Sequence, residues 1–183
     1  MDAIKIFCSM TDEPNLKKYL AALRKSCDRI GRLLDVRLEV IHWREMAAGL
    51  GDTAQDVIDK QAAAQNIYFG LMATSFGVGT EHEYRKAVKG FVTDGSPAYV
   101  SFGFCEEKVN PYGLDIPSFT KLKKFRQDVA KKGKYGRALL YFTFASMEEF
   151  EKAIERNLKT GIGLVRGGVV GGPRFKTKSR SRP

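Results

Sequence analysis

The chain has 183 residues, of which 43% are hydrophobic and 28% charged, and its formal net charge is +10 at pH 7. This length suits one compact α/β domain rather than two, and the apolar content excludes general disorder. No apolar run approaches the roughly 18 residues that a membrane helix needs, and the first residues lack the pattern of a secretory signal. We therefore expect a cytoplasmic protein with no membrane partner.

Apolar runs and amphipathic segments alternate five times along the chain. The apolar runs predict buried strands at residues 3–9, 36–43, 66–73, 97–104 and 137–144. Apolar residues spaced by three and four predict helices at residues 14–31, 52–63, 80–89, 119–133 and 146–158. Because parallel strands need helical crossovers, this order predicts a five-stranded parallel, flavodoxin-like sheet with helices on both faces.

The last segment changes character. Seven basic residues and no acidic residue follow Leu158, which leaves only +3 of the net charge for residues 1–158. We expect an α/β domain over residues 1–158 and a flexible, glycine-rich basic tail or linker over residues 159–183. The basicity is therefore no sign of a nucleic-acid-binding domain, and nucleic-acid contact is expected only as nonspecific attraction to the tail.

The cysteines and histidines predict neither a disulfide framework nor a metal site. Cys8, Cys27 and Cys105 lie far apart and form no CxxC pair, which favours a reducing compartment. His42 and His82 are the only histidines, too few and too isolated for a metal centre.

The stretch SFGVGTEHEYRKAVKGF, residues 75–91, places acids at the start of a helix that follows a very apolar strand. In an open parallel sheet, ligands bind outside the carboxyl ends of the strands, in the loops that lead into the helices. One interpretation of Glu83 is structural: Thr80 caps the helix, and Glu83, at its third position, completes a capping box. The other is catalytic: the Glu83 carboxylate projects into a ligand cleft and stabilises a sugar cation.

Three stretches resemble a known family. FCSMTDE, NIYFGLMATSFGVGTEHEYRKAV and LKKFRQDVAKKGKYGRALLYFTFASMEEFEKAIERNL look like the bacterial TIR-like domains found at the N-terminus of larger signalling ATPases. The resemblance covers residues 3–158 and is most specific in GTEHEYRKA and MEEFEKAIERNL. Enzymatic TIR domains cleave NAD to nicotinamide and an ADP-ribose product. The resemblance therefore implies that NAD, or a related nucleotide, is a substrate rather than a resident cofactor, and that the domain self-associates in bacterial immune or stress signalling, such as antiphage defence.

The family's catalytic Glu lies four residues before a small residue on the helix after the third strand, which points to Glu83, four before Ala87. The loops after the first and second strands are implied to hold the nucleotide. The residues expected to bind substrate are Cys8, Ser9, Asp12, Trp43, Arg44, Ser75, Phe76 and Thr80.

Other interpretations of these residues stay open. Asp12 is equally a helix cap, Trp43 a strand-end aromatic residue, and Arg44 a partner of Glu45 in a surface ion pair. The GT-x-x-E-x-x-x-A pattern also resembles nucleoside 2-deoxyribosyltransferases, whose Glu attacks deoxyribose. A non-catalytic TIR-like module that senses a nucleotide or mediates assembly is the third alternative.

Overall fold

The computed structural model describes five strands and four helices. The strands are β1 (Ile4–Met10), β2 (Leu38–His42), β3 (Ile67–Met72), β4 (Tyr99–Cys105) and β5 (Leu140–Phe144). The helices are α1 (Pro14–Leu34), α2 (Val78–Thr93), α3 (Ile116–Ala130) and α4 (Met147–Arg166). The residues described are 3–11, 13–42, 45, 65–108, 112, 114–131 and 140–167. The helix predicted at 52–63 lies outside them.

The strands form one parallel sheet in the order β2-β1-β3-β4-β5. This order confirms the predicted α/β class and is the flavodoxin-like arrangement, in which the direction of strand addition reverses between β1 and β3. The register sets Ser9 of β1 beside Gly70 of β3, and Gly70 beside Phe102 of β4. These three residues therefore form one row across the centre of the sheet.

Each face of the sheet carries its own apolar core. On one face, α1 and α4 pack over the strands through residues such as Leu16, Leu23, Phe150 and Ile154. On the other, α2 and α3 pack through Tyr84, Val88, Leu122 and Phe125. Among the helices that the structure describes, none is long and apolar enough to cross a lipid bilayer.

Helix α4 begins with a reciprocal pair of capping hydrogen bonds. The Ser146 hydroxyl accepts a hydrogen bond from the Glu149 backbone N–H at 3.2 Å, while the Glu149 carboxylate accepts one from the Ala145 N–H at 2.7 Å. The helix then continues past the expected domain boundary at Leu158 and ends at Arg166, with Ile162 buried in the core. The ordered helix thus takes in the first part of the predicted tail, and residues 168–183 lie outside the described chain.

A buried amide joins α4 to β4. The Asn157 side-chain carbonyl accepts hydrogen bonds from the Tyr99 hydroxyl at 2.6 Å and the Ser101 hydroxyl at 3.0 Å. Its amide nitrogen donates to the Ala153 carbonyl at 2.8 Å. Because both ends of the amide are satisfied, this polar group is accommodated inside an apolar core.

Helix α2 ends against the turn that leads to β4. A Cβ atom at Gly90 would lie 2.3 Å from the backbone oxygen of Ser96. Because the neighbouring atom belongs to the backbone, no side-chain rotation can relieve this clash. By contrast, a Cβ atom at Gly163 of α4 would meet nothing within 4 Å. Glycine is therefore required at the first position and is only a weak helix former at the second.

We predict opposite effects for two glycine-to-alanine substitutions. Gly90→Ala should lower the free energy of unfolding by about 1–3 kcal/mol or more, because α2 must move away from the β4 turn. Gly163→Ala, the matched control, should raise it by about 0.5–1 kcal/mol. Urea unfolding followed by circular dichroism measures both, and a neutral Gly90→Ala would contradict the close approach.

Candidate functional site at the carboxyl edge of the sheet

Helix α2 begins earlier than the sequence predicts, and this changes the position of Glu83. Its N-cap is Gly77, in an extended conformation and with no side-chain cap hydrogen bond. Val78 is the first helical residue, so Glu81 lies in the first turn and Glu83 in the second. The expected capping box of Thr80 and Glu83 is therefore wrong: small, flexible glycine leads into the helix, and no hydroxyl is needed there.

Glu83 reaches from α2 to strand β1 of the sheet. It is only 5% exposed, and its Oε2 accepts a short hydrogen bond from the Ser9 hydroxyl of β1, itself fully buried. A buried carboxylate is costly unless hydrogen bonds compensate it. The structure thus brings together two residues, 74 positions apart, that the resemblance had implied for the site.

Tyr68 of β3 lies beside this pair. Burial, together with the nearby Glu83 carboxylate, raises the pKa of Tyr68 well above its usual value of 10.0, with the Ser9 hydroxyl acting in the opposite direction. The Tyr68 hydroxyl is enclosed; the Ser9 hydroxyl is near enough to act on its pKa, but within the described chain no contact of the Tyr68 hydroxyl has the geometry of a hydrogen bond. A buried hydroxyl without a partner is uncommon and calls for an explanation.

Cys8, the neighbour of Ser9, points to the opposite face of the sheet, because side chains alternate along a strand. It packs in the core beneath α1. Burial, and then the nearby Cys27, raises the pKa of the Cys8 thiol to about 12. Cys8 is therefore a core residue held as the neutral thiol.

Glu13 ties the loop after β1 to the loop after β3. Its carboxylate accepts hydrogen bonds from the hydroxyls of Thr11, Thr74 and Ser75 and from the backbone N–H groups of Thr74 and Ser75. Partial burial opposes ionisation of Glu13, but these hydrogen bonds outweigh it and lower the pKa below 4.5. Glu13, the residue before α1, is also that helix's N-cap position, without a side-chain cap bond.

The loop between β3 and α2 is also held by α3. The Phe76 N–H donates to the Ser118 hydroxyl at 2.9 Å, and the Phe76 ring stacks on Phe125 with centroids 4.5 Å apart. Thr80 is buried in the first turn of α2. Two predicted binding residues, Ser75 and Phe76, therefore fix the loop that carries α2 and Glu83.

The loop after β2 is described only at Glu45. Its carboxylate forms an ion pair with Arg24 and accepts a hydrogen bond from the His42 N–H at 3.3 Å. The remaining predicted nucleotide contacts, Asp12, Trp43 and Arg44, lie outside the described residues.

A cavity of about 330 Å³ opens at the end of β4, and we call it the β4 cavity. Ala73, Leu114, Phe119 and Leu122 supply apolar walls, and Phe104 and Cys105 lie at its base. Its charged lining residues are Glu106, Glu107, Lys123 and Arg126.

The charges of the β4 cavity are largely paired. Arg126 bonds Glu106 at 2.7 Å, and Glu107 accepts hydrogen bonds from Lys18 at 2.6 Å and from the Tyr19 hydroxyl at 2.7 Å. The hydrogen bonds from Lys18 and Tyr19 lower the pKa of Glu107, so it is ionised at neutral pH.

No family model matches this sequence, and no curated protein matches it. Among solved structures, the chain is similar to a metal-soaked Flv1 flavodiiron core from Synechocystis (TM-score 0.48, 9% identity), covering 90% of this chain and 37% of that one. It is also similar to RosB with a bound 8-demethyl-8-formylriboflavin-5'-phosphate intermediate (TM-score 0.46, 10% identity), covering 90% of this chain and 80% of that one. A third similar structure is oxidised Flavodoxin 1 from Bacillus cereus (TM-score 0.40, 11% identity), covering 88% of this chain and 97% of that one.

Sequence reasoning missed two residues near Glu83 and the loop that leads to it. Tyr68 lies in an apolar run where an aromatic residue is ordinary, so nothing marks its hydroxyl. Glu13 sits before Pro14, and Pro at the first helical position does mark the residue before it as a cap. That signal locates the helix start but not the long-range bonds to Thr74 and Ser75.

Two tyrosine-to-phenylalanine substitutions test whether the Tyr68 hydroxyl forms a hydrogen bond. Tyr68→Phe should leave the free energy of unfolding unchanged or raise it, because the buried O–H loses no hydrogen bond. Tyr99→Phe, the matched control, should lower it by about 0.5–1.5 kcal/mol by removing the bond to Asn157. Denaturant unfolding compares them; a loss at Tyr68 as large as that at Tyr99 would show that its hydroxyl is bonded in solution.

Glu13→Gln should lower the free energy of unfolding by about 1–3 kcal/mol at pH 7, since a charged acceptor for several donors is lost. Because the folded state lowers the pKa of Glu13, its stabilisation is fully present above the unfolded value of 4.5 and is lost as pH falls through the folded pKa. Unfolding curves from pH 7 to pH 3 should therefore converge for the two proteins below pH 4.5. Curves that stay equally far apart at pH 3 would refute the ionic role.

Proposed function

We propose that this chain is a TIR-like domain that cleaves the N-ribosyl bond of NAD or a related nucleotide, with Glu83 as the catalytic residue. The observation that carries the proposal is the buried Glu83 carboxylate, bonded to Ser9 near the carboxyl end of β1. In an open α/β sheet this edge, between β1 and β3, is where ligands bind.

The chemistry needs only one acidic group. When the bond between the ribose C1′ and the nicotinamide nitrogen breaks, its electron pair returns to the pyridinium ring and neutralises it, so the leaving group needs no proton. The sugar is left as an oxocarbenium-like cation, which a fixed carboxylate stabilises. Water then adds to C1′ and loses a proton to solvent, giving nicotinamide and an ADP-ribose; attack by the adenine ring instead gives the cyclic product.

Ser9 is a positioning residue in this scheme. Its hydroxyl, fixed on β1, holds one Glu83 oxygen and so sets the direction in which the carboxylate presents its charge. Glu83 and Tyr68 are enclosed, and the interaction between two charges is stronger where water is excluded. The surroundings therefore favour a strong attraction between the carboxylate and a sugar cation.

The start of α2 suits the phosphates of a dinucleotide. Its first-turn N–H groups follow Gly77 and are not capped by a side chain. Helix N-termini of this kind favour anions through free N–H groups and the helix dipole. The diphosphate would then lie at the N-terminus of the helix that carries the catalytic residue.

Glu83→Gln tests the proposal, because it keeps the size of the side chain and removes its charge. We expect nicotinamide release from NAD to fall by about 100-fold or more, the scale of losing one electrostatic stabiliser. Glu81→Gln is the matched control: Glu81 lies two residues away and pairs with Arg85 at the surface, so turnover should stay within about twofold. Chromatography of the products at high protein concentration, where self-association is favoured, measures both.

Three outcomes would contradict the proposal. Equal turnover by wild type and Glu83→Gln would remove Glu83 from the chemistry. Base exchange on deoxynucleosides with NAD untouched would point to a deoxyribosyltransferase. Inert wild-type protein in both assays would indicate a non-catalytic module.

A further inference from the structure

We infer that the β4 cavity binds the adenine base of the nucleotide, an assignment that rests on the function proposed above. The cavity, at about 330 Å³, falls within the range of small-molecule sites. It lies at the carboxyl end of β4, on the same edge of the sheet as Ser9 and Glu83. The sequence predicted nucleotide contacts only in the loops after the first three strands.

The walls of the cavity suit a flat ring. Half-buried Phe119 contributes aromatic surface and Leu122 contributes aliphatic surface, while Phe104, buried at the base, supports the Arg126 guanidinium that lies over its ring. The Arg126 guanidinium lies 5.6 Å from the Phe104 ring centre, and the Lys123 ammonium 4.7 Å from that of Phe119. Aromatic faces and arginine planes are the surfaces on which nucleobases stack.

The rim of the cavity suits a ring with both donors and acceptors. Glu106 and Glu107 each form their ion pair through Oε1, which leaves Oε2 as an acceptor for a ligand, while Lys123 offers an ammonium donor. A strongly anionic ligand would meet the two acids, and a cationic one would meet the two bases. Adenine is neutral and carries an amino donor next to ring-nitrogen acceptors, so it is complementary to a rim of mixed sign.

The position of the cavity fits a dinucleotide whose other end is at Glu83. Ser9 and Phe102 share one row of the sheet, two strand spacings apart, and Cys105 lies three residues further along β4. These steps place the cavity about 13 Å from Ser9. A ribose–diphosphate–ribose chain spans this distance, and Phe102 and Phe104 lie on the face of the sheet that α2 and α3 cover, as Ser9 does.

Adenosine monophosphate binding to the full chain, measured by calorimetry, tests the assignment without requiring turnover. Leu114→Trp should raise the Kd for adenosine monophosphate by about tenfold or more. Half-buried Leu114 lines the cavity, and the larger indole would fill the space for a stacked base. Ile116→Trp is the matched control, since Ile116 is 61% exposed and does not line the cavity; its Kd should equal that of wild type. Inosine monophosphate, with the same phosphate but no amino donor, should also bind about tenfold more weakly.

The outcomes separate this assignment from the proposed reaction. Wild-type protein that does not bind adenosine monophosphate at millimolar concentration, or Leu114→Trp that binds it as wild type does, overturns the adenine site. Glu83→Gln should bind adenosine monophosphate with the wild-type Kd. If NAD is not cleaved while the Leu114→Trp effect holds, the reaction is refuted and the base site stands.

Discussion

The hydrogen bond between the Ser9 hydroxyl and the Glu83 carboxylate is the interaction on which the rest of this structure depends. It lies inside the sheet–helix interface, where an uncompensated carboxylate would be strongly destabilising. To make it, β1 must present Ser9 toward α2, and α2 must start early enough to place Glu83 above that strand. Strand register and helix start are thus coupled through one polar contact.

The remaining polar contacts of the edge keep α2 in place. Glu13 binds the loop before the helix from one side through Thr74 and Ser75, and Ser118 binds it from the other at Phe76. At the far end of α2, the close approach of Gly90 to Ser96 fixes the axis of the helix. A carboxylate held from both ends of its helix has little freedom to reorient, which is the preorganisation that electrostatic catalysis requires.

The architecture could be predicted from sequence because hydrophobic period and chain order are enough to specify a parallel sheet. The same chain order singled out Glu83, because it places this residue on the helix that follows the third strand. The first residue of α2 could not be predicted from the sequence. Gly77 and Gly79 are both compatible with the start of a helix, and Thr80 looks like a better N-cap than either glycine. Nor could it pair Ser9 with Glu83 or reveal Tyr68, because these contacts depend on strand register and on where α2 packs on the sheet, which spacing along the chain does not fix.

The two faces of the sheet bury polar groups in different ways, and the difference separates a structural role from a functional one. Asn157 has both ends of its amide satisfied by Tyr99, Ser101 and Ala153, so it contributes to the specificity of packing and calls for no ligand. On the opposite face, a carboxylate is buried next to a hydroxyl, that of Tyr68, which completes no hydrogen bond in the described chain. A matched set of apolar residues would avoid the desolvation cost of these groups, although within this fold the buried Glu83 carboxylate needs its bond to Ser9. A buried carboxylate near the carboxyl end of β1, on the side of the sheet where open α/β folds bind ligands, is the feature that the proposed cleavage of an N-ribosyl bond would use.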